Sequence, residues 1–515
     1  MRADRMNQPI IAMLCAALLA GGTVQAQKRQ DTVRIAFVDP IATVLTYDDP
    51  KPETAFTTWA IFDGLLCYDP QTGEFAPLLA ESWSWVDERT LEVRLRTDVR
   101  FHDGSVFDAE DAVYTLNWLV DPATRLRFAD NYRWIERATK TGTHTLRIRT
   151  THASPVALLR LAVGTPMLPS DRHGAQAITT EFGRKAPIGT GPFRAETVSA
   201  DRGIVLVRNE RFQHGNRCKP AGKVARIRVL PIPDTQTQIA ELMTGGLDVA
   251  KVAQKDQADF LAKQPMFRMT ANHTITYHYL AIDAINRSGN AALADLKVRQ
   301  AIAHAIDREL VARSVVPGGE AVVTVDALCV RVHRACDFSS RPPSYDPAAA
   351  KRLLAEAGLM HGLDVEMTAT PGSYALAEAL AGELRKVGIR AKVDRVTFIA
   401  YREKQRQGKI QLLVGQWSSG GFPDASSPVE FFFGENSRDY WRDPIIETRL
   451  TEGLHTTDDA RRKAIYRQIF DRVNARVYIL PIASKPDVFV HAKDLAIETG
   501  SLNAFGADPN GIGWR

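Results

Sequence analysis

Apolar and polar positions along this chain follow two periods. Val33–Val38, Thr90–Arg96, Thr145–Arg149, Ile204–Arg208 and Val224–Ile232 predict strands, several with the period-two alternation of a half-buried sheet. Helical patterns stand between them. In "FDAEDAVYTLNWLVDP", Asp108 takes the N-cap position and Ala112, Val113, Leu116, Leu119 and Val120 share a face. Asp121-Pro122 ends that run. In "YDPAAAKRLLAEAG", Asp346 caps, Pro347 takes the first helical position, Leu353 and Leu354 face inward, and Gly358 stops the helix.

Leu363–Trp417 carries the clearest topology. "LDVEMTAT" predicts a strand, and "SYALAEALAGELRKVG" a helix with Leu376, Leu380, Leu384 and Val387 on one stripe. "IRAKVDRV" (strand), "FIAYREKQRQG" (helix) and "IQLLVGQW" (strand) follow. Strand–helix–strand–helix–strand at this spacing predicts parallel βαβ units in an α/β fold. Ligands of open parallel sheets bind beyond the carboxyl ends of the strands. Two loops fall there, "TPGSY" and "WSSGG". Ser373 and Tyr374 are candidates from the first, where a helix opens and favours an anion or carbonyl oxygen. Trp417, Ser418, Ser419 and Gly420 are candidates from the second. An indole there serves equally as a ligand wall or as a core plug.

The first residues set the compartment. Arg2 and Arg5 precede an apolar run, Ile10–Ala20, and Val24-Gln25-Ala26 forms a small-residue site. This is the pattern of a cleavable export signal, with cleavage expected after Ala26 and a periplasmic mature protein. Of 515 residues, 489 then remain, enough for about three structural units at roughly 150 residues each. Losing Arg2, Arg5 and Asp4 takes the formal net charge from +5 to +4. Basic and acidic residues are interspersed, which gives no support to a nucleic-acid partner or to membrane-surface binding. Four cysteines remain, an even number in an oxidising compartment. Cys329 and Cys336 lie close enough to bridge a short loop, which leaves Cys67 and Cys218 as a second pair.

Catalytic and metal signatures are absent from the sequence. There is no Gly-x-Ser-x-Gly elbow, His-Glu-x-x-His, phosphate-binding loop or Cys-x-x-Cys. "HDGS" (His102–Ser105) reads as a turn. His273 and His278, five apart on a strand, face opposite ways. No enzyme activity, cofactor or metal is expected.

Word-level similarity adds to this. "LLAESWSWVDERTLEVRLRTDVRFHDGSVFDAEDAVYTL" (Leu78–Leu116) resembles the signature block of the extracellular solute-binding proteins of family 5. "PIGTGPFR", "LMTGGLDVA", "VRQAIAHAIDRELV", "YDPAAAKRLLAEAG" and "DYWRDPIIETRL" follow in that family's order. The resemblance implies a two-lobed periplasmic-binding-protein clamp of class II with an extra subdomain. Residues 27–270 with 490–515 would form lobe one, with a subdomain inserted at about 56–185. Residues 271–489 would form lobe two. The implied role is capture of a peptide or peptide-like solute for an ABC permease and its ATPase, by a monomer. The same clamp for a sugar, opine, glutathione-like compound or metal chelate is the alternative, and an exported hydrolase or sensor is a third reading.

In the family the strand-end tryptophan, matched by Trp417, opens a ligand-lining loop. Peptide binders place an Asp three residues later to meet the ligand's ammonium, and here that position is Gly420. Asp424 is the candidate replacement. Tyr47, after the first strand, is a further candidate.

Overall fold

The computed structural model describes residues 31–515 apart from 127, 177–178, 186, 419–421, 435–437 and 500–504. The export signal expected at 1–26, and Ser419 and Gly420, therefore lie outside the described residues. Two sheets organise the chain. One has seven strands in the order Phe267–Asn272, Asp487–Ala492, Val249–Lys251, Thr32–Phe37, Arg226–Pro231, Gly203–Arg208, Phe193–Ser199. The other has five, in the order Ile389–Arg395, Leu363–Ala369, Leu412–Trp417, Tyr277–Ile282, Ile479–Ser484. Each is the centre of one lobe.

The chain passes between the sheets twice, after Asn272 and again between Ser484 and Asp487. Residues 271–272 and 487–489, expected in lobe two, belong to the seven-stranded sheet of lobe one. The reason is the ladder itself: Ala271 pairs with Val488 and Asn272 with Asp487, so the two strands stay paired right up to the crossings.

In lobe two the predicted parallel units form. Leu363–Ala369 pairs in parallel with Ile389–Arg395 on one side and with Leu412–Trp417 on the other. The stripe Leu376, Leu380 and Leu384 of helix Tyr374–Arg385 is buried against them. Helices Ser426–Phe433, Pro444–His455 and Asp459–Arg476 contribute to a second core that includes Tyr279 and Leu413 of the same sheet.

A four-stranded antiparallel sheet, Ala80–Asp87, Thr90–Leu95, Thr145–Thr150 and Ile135–Gly142, forms a separate core with helix Ala109–Val120. Asp108 caps that helix by accepting from the Glu110 N–H, and Asp111 returns a bond to the Asp108 N–H. Cys67 is bonded to Cys218, and Cys329 to Cys336.

Lobe two touches the lobe-one side at several places. Arg334 donates to the Gly73 carbonyl at 3.0 Å and lies 5.1 Å over the Phe75 ring. Arg160 lies 4.5 Å over Phe422, and the rings of His152 and His455 are 5.1 Å apart.

Candidate functional site

Two adjoining cavities lie between the lobes. The first, about 440 Å³, takes Tyr47, Trp59, Tyr132 and Arg160 from the lobe-one side and Trp417, Glu430, Phe431 and Arg438 from lobe two. The second, about 470 Å³, is lined by Lys251, Thr370, Arg402, Ser418, Lys485 and Asp487, among others. Both volumes fall in the ordinary range for small-molecule sites. Trp417 and Phe431 line both cavities and so form the partition. Their rings stack with centroids 4.2 Å apart at 39°.

Trp417 reaches this place because of its strand. Leu412, Leu413, Val414 and Gly415 are buried in the middle of the sheet, and burial ends at exposed Gln416 and half-buried Trp417. Trp417 pairs with Tyr277 at the edge facing lobe one. The indole thus combines the two roles open to it in the sequence. It packs on Phe431 and Phe432 and still presents a surface to both cavities.

The other candidates are placed less uniformly. Ser418 is exposed and lines the second cavity, as do Thr370 and Pro371 at the neighbouring strand end. Ser373 and Tyr374 lie one step further on and do not line either cavity. The turn at Gly372, with φ of +82°, buries Ser373 completely. Tyr374 donates its hydroxyl to the Val396 carbonyl at 3.0 Å. Tyr47 lines the first cavity but is almost wholly buried. Its hydroxyl donates to the Pro166 carbonyl at 2.8 Å, and its ring packs on Trp118 and Tyr132. Burial, and then Tyr132, hold its phenol well above the usual range.

Asp424 needs a correction, because it is engaged away from the cleft. Its carboxylate is fully buried and takes a two-pronged bond from Arg462, at 2.8 and 2.6 Å. It also accepts from the Ser426 N–H and hydroxyl. Burial alone would raise this carboxyl, but the Arg462 charge and its hydrogen bonds hold it below the usual range. It anchors the loop and does not line either cavity.

Sequence reasoning missed Phe431, Arg402, Arg438, Arg160 and Tyr132. Arg402 alone had a usable signal, since helix Phe398–Arg406 follows a parallel strand end. The electrostatics of the cleft depend on these residues. Arg438 lies 4.3 Å over Phe431, and burial followed by the Arg402 charge lowers its pKa. Arg160 is likewise lowered by burial, against the pull of Glu430. Among the described residues no cluster of three or more His, Cys, Asp or Glu is placed to hold a metal. Nor is any described helix long and apolar enough to cross a membrane.

A family model described as "Bacterial extracellular solute-binding proteins, family 5 Middle" matches residues 74–439. The chain belongs to this family. The family 5 chain is 26% identical over 478 residues to the nickel-binding periplasmic protein of Escherichia coli strain K12, covering 85% of itself and 87% of that protein. It is 23% identical over 474 residues to di/tripeptide-binding protein 1 of Pseudomonas aeruginosa, covering 84% and 86%. Among solved structures, NikA of Brucella suis in complex with Fe(III)-EDTA superposes with a TM-score of 0.81 at 22% identity, over 94% of this chain and 100% of that one. That likeness shows the fold, the two-lobed clamp of periplasmic binding proteins.

Proposed function

We propose that this family 5 protein is the periplasmic substrate-binding component of an ABC importer, and that its cargo is a peptide or peptide-like solute held between the lobes. The observation that carries this is the double cavity, whose walls come from both lobes and meet at the Trp417–Phe431 stack. A cargo seated there touches both lobes only when they are together, so it favours the closed state by that difference in contact. The crossings after Asn272 and after Ser484 would serve as the hinge. Residues 27–270 with 490–515 and 271–489, corrected at the strand ends described above, would move as the two bodies. The subdomain at about 56–185 would move with the first. In this reading the chain performs no chemistry, and it hands its cargo to a membrane permease as a monomer.

The charges support a zwitterionic cargo. The first cavity carries both signs, Arg160 and Arg438 with Asp130 and Glu430. Asp130 is paired with Arg133, whereas Glu430 has no ion-pair partner among the described residues. Glu430 therefore offers a carboxylate to an ammonium in place of the acid that position 420 lacks. The di/tripeptide-binding relative supports the peptide class, and the nickel-binding relative supports a metal chelate as the second reading.

Titration of the purified protein with short peptides, free and amino-acetylated, tests this by thermal shift. A ligand at 100 times its Kd stabilises by about 2.7 kcal/mol. Free peptides are expected to raise the melt and acetylated ones to do so less; no shift with either form would remove the peptide reading. Trp417→Ala is expected to weaken cargo binding roughly 30-fold or more, the loss of about 2 kcal/mol typical of a central aromatic anchor. Calorimetry checks this, and an unchanged Kd would place the cargo elsewhere.

A pH dependence follows from the interlobe His152–His455 contact. Burial, then the His455 and Arg89 charges, lower the His152 pKa while the lobes touch. Opening would remove the His455 charge and part of the burial, and so raise it toward the ordinary value of 6.5. The open form then binds more protons, so closure weakens as pH falls below 6.5. Cargo affinity is expected to fall between pH 7.5 and 5.5, and His455→Gln to flatten that fall. An unchanged slope in the variant would remove the pair from the account.

A further inference from the structure

The second cavity has a charge imbalance that the zwitterion reading leaves unused. Three cations, Lys251, Arg402 and Lys485, line it together with one carboxylate, Asp487. Asp487 is shared by the two lysines, at 2.9 Å from Lys251 and 3.8 Å from Lys485. Lys251 also donates to the Phe505 carbonyl at 3.0 Å. Arg402 forms no hydrogen bond or ion pair with a described residue. Its guanidinium is held instead by aromatic faces, 5.1 Å from Phe398, 5.6 Å from Tyr401 and 5.9 Å from Phe431. Stacking of that kind occupies the face of the guanidinium and leaves its in-plane N–H donors available. Arg402 therefore stands against the partition ring with five donors and no acceptor.

Like charges do not gather at a cleft wall without a cost. Arg402 and Arg438 stand on the same ring, Phe431, and repel one another. Lys251 and Lys485 repel one another across Asp487, and burial with the Lys251 charge lowers the Lys485 pKa. An anion in the second cavity would relieve both repulsions.

We infer that the second cavity is an anion pocket, with Arg402 as its specificity-determining residue, and that it selects cargo carrying two carboxylates at one end. Two negative charges match the excess of three cations over one acid. The first cavity, with both signs on its walls, would take the amino end. The inference rests on the cleft being the cargo site. It adds to that reading a substrate class, peptide-like compounds with an acidic carboxyl-terminal residue.

Calorimetry at low ionic strength tests it with three probes, Ala-Ala-Ala, Ala-Ala-Glu and citrate, against the wild type and Arg402→Gln. Arg402 is exposed, so the variant is expected to melt like the wild type. Ala-Ala-Glu is expected to bind about tenfold tighter than Ala-Ala-Ala, the scale of one charge-assisted hydrogen bond, and Arg402→Gln to erase that preference. Equal binding of both tripeptides, unchanged in the variant, overturns the anion pocket and leaves the peptide reading standing. Citrate binding that Arg402→Gln weakens, with neither tripeptide bound, supports the pocket and overturns the peptide reading. Failure of all three probes overturns both.

Discussion

Asp63→Ala is expected to cost this protein about 3–5 kcal/mol of stability, the usual penalty for leaving a buried charge without its partner. Asp63 is completely buried. It accepts from the Thr190 hydroxyl at 2.8 Å and contacts His214 Nε2 at 2.8 Å. On its other oxygen it meets the Lys219 ammonium at 2.6 Å, and that side chain is only 1% exposed. The Lys219 carbons and nitrogen have no route to water. Its remaining contacts are the Phe62 carbonyl at 2.5 Å and the Trp59 face at 4.5 Å. Alanine would leave a buried ammonium with no carboxylate of the described residues at ion-pair distance. Against a total stability of about 5–15 kcal/mol, that is a large fraction.

A urea titration followed by circular dichroism reads the loss as a lower midpoint. Combining Asp63→Ala with Lys219→Met is expected to recover much of it, because the orphaned charge leaves with the lysine. A single variant as stable as the wild type would show that the cluster is not energetically coupled. Trp59 and Phe62 both line the first cavity, so the single variant is also expected to bind cargo less tightly.

The pH dependence of this cluster has a definite sign. Burial alone would raise the Asp63 carboxyl, but the Lys219 charge and the His214 contact outweigh it and hold it well below the usual range. A depressed folded pKa means that the stabilisation is fully present above the ordinary value of 3.8 and is lost as pH falls below it. Asp424 behaves alike. Acid unfolding is therefore expected to begin below about pH 4 for both buried pairs.

Asp424→Ala is the second large effect, also about 3–5 kcal/mol, because it leaves the Arg462 guanidinium buried at 1% exposure without its carboxylate. Arg462 would keep the bond from Nε to the Gly453 carbonyl at 3.0 Å and the Tyr466 ring 5.1 Å away. The variant should also disturb the cleft. Asp424 holds Ser426 at the start of helix Ser426–Phe433, and that helix carries Glu430 and Phe431. A lower melting temperature together with weaker cargo binding is the expected result. The contrary outcome is distinct: a variant that melts normally and loses only its preference for free amino termini would make Asp424 the amine-binding acid after all.

Asp424 also shows where sequence reading reached its end. Its distance along the chain from Trp417 put it near the cleft, and it does lie in the loop that follows. The side chain turns inward because Arg462, 38 residues further on, reaches the same point from helix Asp459–Arg476. No local pattern carries that information. Ser373 and Tyr374 make the same point at smaller scale. The strand-end rule selected the right loop, yet its cavity-facing residues are Thr370 and Pro371, because the turn at Gly372 carries the next two toward the core.

The sequence by itself determined the secondary structure, the parallel units of lobe two, the family block and Trp417 at a strand end. Each is written in neighbouring residues: period-two and helical spacing, caps, stops and one continuous run of words. Only the tertiary structure decided that Phe431 completes the partition, that Arg402 and Arg438 stand against it, and that Asp63 and Asp424 are buried ion pairs. These depend on segments tens to hundreds of residues apart arriving at one place, and burial and charge pairing are set there by the packing of both lobes.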